Sequence, residues 1–130
     1  MSDAAKIQPL MLPDQMAPVS HYCHGVRAGD RLWISGMVGI RLDGSIPEDV
    51  VEQFDVALDY VDGVLRSQGG EPRNVVKVQV FLTDVNDRVK INPRRQAYFG
   101  EHRPASTLVQ IAALILPELK VEIEAEAVLD

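Results

Sequence analysis

The stretch Val121-Glu122-Ile123-Glu124-Ala125-Glu126-Ala127-Val128 constrains this chain more than any other, because apolar and acidic residues alternate along it. A period of two places Val121, Ile123, Ala125 and Ala127 on one face of a strand and Glu122, Glu124 and Glu126 on the other. The strand is expected over residues 119–128. Three neighbouring carboxylates repel one another, which costs little on a wet surface. Under partial burial one of them would hold its proton to higher pH and could act as a general base, but spacing alone does not say which.

The rest of the chain supplies a sheet for that strand and helices to cover it. Extended runs over residues 22–26 and 32–35 flank Ala28-Gly29-Asp30-Arg31, a hairpin turn, and Gly36 and Gly39 suggest a bulge or a close backbone approach. Val51, Phe54, Leu58, Val61 and Leu65 recur at steps of three and four between Pro47 and Gly69-Gly70, which predicts an amphipathic helix starting near Pro47. Its other face, with Glu52, Asp55, Asp59 and Asp62, reads as solvated. Residues 75–83 alternate as a strand with Val76, Val78, Val80 and Leu82 on one face. Asn92-Pro93 reads as a cap and first turn of a short helix running to Gly100, and two strands follow, over 107–114 and 119–128.

This order defines an α+β fold, a single domain with a mixed sheet and two helices on one face. Residues 1–17, with Pro9 and Pro13, read as an irregular N-terminal arm before a domain spanning 18–130. Two helices cover one sheet face only, so the apolar residues on the other call for a second copy of the chain, and an oligomer is expected.

Composition narrows the function. Hydrophobic residues make up 46% and charged residues 25% of 130, as in an ordinary globular domain. Asp and Glu outnumber Lys and Arg by 19 to 13, a net charge of −6 that disfavours nucleic acid as a partner. The only short apolar stretch near the start, Leu10-Met11-Leu12, is too brief for a signal peptide or membrane span, so no membrane partner is expected. A single cysteine, Cys23, precludes an internal disulfide and fits a cytoplasmic setting. His21, Cys23 and His24, with His102, are a weak metal-ligand set, since His24 points away from the other two in an extended segment, and no metal is expected. Cys23 is read as a small buried thiol. Arg88, Lys90, Arg94, Arg95 and Arg103 form the one basic stretch, suited to an anionic small molecule or to acids of another subunit.

The run Val75-Val76-Lys77-Val78-Gln79-Val80-Phe81-Leu82-Thr83-Asp84-Val85-Asn86-Asp87 is followed by Tyr98-Phe99-Gly100-Glu101-His102 and by Val121-Glu122-Ile123-Glu124-Ala125. Together these segments resemble the RidA (YjgF-like, or L-PSP) family over residues 19–128. The resemblance implies a chorismate-mutase-like fold and a homotrimer with clefts between neighbouring subunits. It also implies hydrolysis of reactive imines or enamines such as 2-aminoacrylate, without a cofactor. Glu122 then matches the water-activating glutamate, and Tyr22, Ser35, Gly36 and Asn92 match substrate-binding cleft positions.

Two positions depart from the pattern. The family's Pro-Ala-Arg-Ser is here Pro104-Ala105-Ser106-Thr107, so Ser106 stands where an arginine would clamp a substrate carboxylate. Losing that contact would weaken binding of an anionic imino acid by roughly ten- to a few hundred-fold. Met37 replaces the more usual glutamine after Ser-Gly, making the pocket wall more apolar. Arg103 lies near Ser106, but Pro104 fixes the backbone between them, which makes it a poor replacement. Both departures point to a different, less anionic ligand than the 2-aminoacrylate of a standard member, so the expected activity is hydrolysis of another small imine, enamine or related carbonyl compound, with Glu122 as the base and Ser106 and Thr107 offering hydroxyls. Two alternatives are a non-catalytic trimer that binds a small metabolite in the same cleft and, ranked below it, an endoribonuclease or translation inhibitor.

Overall fold

A computed structural model describes residues 6–130. Six strands form one sheet in the order β1-β2-β3-β6-β4-β5. They are β1 (Ile7–Leu10), β2 (Gly25–Ala28), β3 (Arg31–Val38), β4 (Val75–Leu82), β5 (Ala105–Gln110) and β6 (Val121–Val128), with helices α1 (Val50–Ser67) and α2 (Arg88–Phe99) between them. Only the β4–β5 pair is parallel, so the sheet is mixed. The α+β architecture agrees with the sequence reading.

The alternating strand lies third from the β5 edge, with β3 and β4 antiparallel on either side. Its Val121, Ile123, Ala125 and Ala127 are buried with Leu32 and Ile34 of β3 and Val78, Val80 and Leu82 of β4. Helix α1 lies across this face against β3 and β6, and α2 packs on α1. The heart of the contact is Phe54, Val64 and Leu65, none with any accessible surface.

Several local features differ from the sequence reading. The arm is not irregular throughout: Ile7–Leu10 pairs with β2 as an edge strand, a position that tolerates Pro9 without an N–H to donate; its first five residues lie outside those described. Helix α1 begins at Val50 rather than near Pro47, because the Asp49 carboxylate caps it by accepting from the Glu52 N–H at 3.2 Å. Val50 rather than Val51 is therefore the first core residue of the helix. At its other end Gly69, with φ of 80°, closes a Schellman turn in which the Gly70 N–H donates to Leu65 O at 2.9 Å.

Helix α2 begins at Arg88, five residues before Pro93, which sits inside it. Tertiary packing overrides the proline: Ile91 is fully buried, and the preceding 3-10 turn over Val85–Asp87 is tied by Asp84 accepting from Asn86 N–H at 2.9 Å. Strand β4 has a bulge at Val76, which turns that side chain outward while Val75 and Val78 both enter the core. Strand β5 ends at Gln110 rather than 114. The acidic face of α1 is partly engaged: Asp62 accepts from the Tyr98 hydroxyl at 2.6 Å and Asp55 pairs with Arg94 at 3.4 Å, so these acids fasten α2 to α1.

Gln53 is a buried polar residue that sequence periodicity does not reveal. Its amide donates to Pro47 O at 2.8 Å and Glu118 O at 3.0 Å, and its carbonyl accepts from Lys120 N–H at 2.8 Å. It stitches the start of α1 to the segments entering α1 and β6. Gln53→Leu keeps the volume but strands these backbone groups, and urea unfolding is expected to show a loss of about 2–4 kcal/mol; a loss under about 0.5 kcal/mol would show that water replaces the amide.

Candidate functional site

The sheet face opposite the helices carries Trp33, Lys77, Gln79, Phe81, Thr107 and Val109 along with the three glutamates. Register separates the carboxylates. Glu126 lies beside Lys77 and Trp33, and Glu124 beside Gln79, whereas Glu122 lies between Phe81 and Val38. Desolvation, with the like charge of Glu124 second, raises the Glu122 pKa above the ordinary glutamate value.

The bulge in β3 makes room for it. Ile34 pairs with Ala125 and Met37 with Ile123, so Ser35 and Gly36 together stand opposite Glu124. A Cβ at Gly36 would overlap the Glu122 carboxyl group, so only glycine admits this close approach. Ser35 is fixed by donating from its hydroxyl to Cys23 O at 2.6 Å, and Val19 N–H donates to the Tyr22 hydroxyl at 3.3 Å. The result is a cleft of ≈ 380 Å³ lined by Val19, Ser20, Tyr22, Ser35, Gly36, Val38, Ile115, Glu122 and Glu124.

Tyr22, Ser35, Gly36 and Glu122 are thus brought together, while the other expected site residues are not. The bulge turns Met37 toward the core, at 8% exposure, where it lines a small cavity with Tyr22, Gly36 and Val38 behind the Glu122 cleft. Ser106 pairs in register with Val78 and so belongs to the helix-covered face, at the exposed β5 edge. Thr107 lies on the opposite face and accepts from Lys77 Nζ at 3.1 Å. Asn92 sits half-buried on α2. No single chain therefore presents Ser106 and Glu122 to the same small ligand.

His24 and His102 have structural work, while His21 is exposed. His24 is buried, with Nδ1 accepting from Leu12 N–H at 2.9 Å and Nε2 donating to Met16 O at 2.8 Å. His102 Nε2 donates to Val75 O at 2.6 Å. Cys23 is half-buried rather than buried, and its thiol donates to Gly25 O at 3.2 Å. Two of the five basic residues pair within the chain rather than with another subunit, Lys90 with Asp87 at 3.2 Å and Arg94 with Asp55.

Sequence reasoning placed Arg95 in the basic stretch without singling it out. Its Nη2 donates to the Ser106 hydroxyl at 2.9 Å, so a guanidinium from α2 reaches the β5 edge. Helical phase is the signal that could have found it: Arg94 faces Asp55 on α1, and one residue further round the helix points elsewhere.

Comparison with known proteins agrees with this geometry. The family model described as Endoribonuclease L-PSP matches residues 13–129. The chain belongs to this family, which is also called RidA or YjgF. It is 34% identical over 116 residues to the 2-iminobutanoate/2-iminopropanoate deaminase of Escherichia coli, covering 86% of this chain and 90% of that protein. The crystal structure of the E. coli YjgF gene product superimposes with a TM-score of 0.86 at 32% identity, over 93% of this chain and 98% of that one. E. coli TdcF with bound serine gives 0.88 at 31% identity, over 95% and 99%.

The raised Glu122 pKa has a consequence for stability. Deprotonation costs the folded state more than the unfolded one, so a destabilising contribution grows as pH rises from the unfolded pKa through the higher folded pKa. Glu122→Gln is expected to raise Tm at pH 7 and to leave it unchanged near pH 3, where both states are protonated. A scan of Tm against pH that showed equal values throughout, or a loss at pH 7, would contradict the assignment.

Proposed function

We propose that this protein is a deaminase of small imines or enamines that works in clefts shared between copies of the chain, with Glu122 as the general base. The half-buried Glu122 carboxyl against Gly36, in one cleft with Tyr22 and Ser35, carries this reading. The E. coli relative named as a 2-iminobutanoate/2-iminopropanoate deaminase supports it. In the reaction Glu122 takes a proton from water as the oxygen attacks the C=N carbon. The proton is passed to nitrogen to give a carbinolamine, and Glu122 then carries the hydroxyl proton to nitrogen as the C–N bond breaks, releasing ammonia and leaving the carbonyl compound. Water, a base and an apolar wall suffice for this sequence, and a cofactor has no step in it.

The sheet supports the sharing. Glu122 and the Ser106 edge lie on opposite faces of one chain, so a cleft that uses both must join the glutamate of one copy to the β5 edge of another. A closed homotrimer supplies three such junctions, and Trp33 and Val109, each more than a third exposed, give its inner surface apolar anchors. The described residues hold no helix long and apolar enough to cross a membrane, and the single cysteine suits a cytoplasmic site of action. An RNA-cleaving role has little support in a net charge of −6 and a row of carboxylates on the open face.

Imino acids generated in situ by an amino-acid oxidase are expected to be hydrolysed by the wild type and about a hundredfold or more slower by Glu122→Gln. Because the base must be ionised, kcat/KM falls as pH drops through the raised Glu122 pKa, so the acid limb lies above the ordinary glutamate range. Unchanged turnover in Glu122→Gln would refute the base. Light scattering that finds a monomer as the active species would refute the shared cleft. Metabolite binding by the wild type without turnover of any imine would favour a non-catalytic binding trimer.

A further inference from the structure

Of the four cations on α2, Arg95 is set apart by its surroundings. Lys90 and Arg94 are paired with Asp87 and Asp55, and Arg88 is exposed to solvent. Arg95 has no carboxylate within ion-pair distance among the described residues, and its one hydrogen-bond partner is the Ser106 hydroxyl. It is also half-buried, and burial lowers its pKa. A guanidinium partly withdrawn from water and left without a counter-ion favours an anion beside it, so the site is short of one.

Ser106 adds a second contact. Its oxygen accepts from Arg95 Nη2, which leaves the hydroxyl proton free to point at the same ligand. The remaining N–H groups of the fork suit a planar, two-oxygen anion better than a point charge would. Both side chains sit at β5, the edge of the sheet, where the strand has one unpaired side and a neighbouring copy can approach.

We propose that Arg95, seated by its hydrogen bond to Ser106, is the carboxylate-binding group of this protein, reaching from α2 the place that Ser106 leaves without a cation on β5. The proposal rests on the deaminase reading for its substrate class, small 2-imino acids and their 2-oxo acid products. The chain has moved the positive charge from strand to helix and has kept the anionic ligand. Arg103, nearer in sequence, forms no hydrogen bond to Ser106.

The test measures binding separately from turnover. NMR titration with 2-oxobutanoate and with its neutral methyl ester is carried out on the wild type, Arg95→Gln and Arg95→Lys, with Tm and oligomeric state confirmed first. The wild type is expected to bind the acid, Arg95→Gln to bind it at least about tenfold more weakly, and Arg95→Lys to fall between, because charge remains while the fork is lost. The ester should bind the wild type no better than Arg95→Gln. In turnover, Arg95→Gln should raise KM for imino acids more than it lowers kcat. Equal acid binding by wild type and Arg95→Gln, equal losses for acid and ester, or no acid binding by the wild type would each overturn the proposal. If the wild type turns over no imine yet binds the acid through Arg95, the deaminase reading fails and this one stands.

Discussion

The structure depends on the two-sidedness of β6. One face must be dry enough to hold α1, and the other carries three carboxylates that cannot share that dryness. Because the strand lies inside the sheet, its alternation imposes the same division on β3 and β4 through their registers. A slip of one residue would bring Glu122, Glu124 and Glu126 under α1 and turn Ile123 outward, at a cost no local interaction could offset. The division also keeps Glu122 and Ser106 from meeting within one chain.

The bulge at Ser35-Gly36 converts that scaffold into a site. A regular β3 would pair along its whole length with β6 and leave no space beside Glu122. The extra residue opens the strand, turns Met37 into the core and brings a residue without a side chain against the carboxyl group. Hydrogen bonds from Ser35 to Cys23 O and between the His24 ring and the backbone of Leu12 and Met16 hold the flanking segment in place. Packing and backbone satisfaction thus position the Glu122 carboxyl group, and its partial burial beside Phe81 and Val38, with the charge of Glu124, raises its pKa.

Much of this was legible in the sequence where one physical rule governs. Strict alternation gave β6, the three-four spacing gave α1, and the two glycines pointed to the bulge. Family resemblance added Glu122, Tyr22, Ser35 and Gly36, which the structure gathers in one cleft. The failures came where tertiary contacts overrode local preference. Pro93 reads as a helix start, yet burial of Ile91 draws the helix back to Arg88. Arg95 was hidden among five basic residues because its role depends on which way one helix turn faces a distant strand, and spacing along the chain carries no such information.

In the proposed assembly a working cleft needs the Glu122 face of one chain and the Ser106–Arg95 edge of another. Subunit mixing tests it directly, using Glu122→Gln and Ser106→Asp, the latter placing a carboxylate where it would occupy Arg95 and repel an anionic substrate. Each variant alone is expected to be inactive. Reassembled at equal ratio, random trimers should regain about a quarter of wild-type imine hydrolysis, because three-quarters of them are mixed and each mixed trimer holds one intact cleft. No recovered activity in a preparation shown by native mass spectrometry to contain mixed trimers would contradict the account.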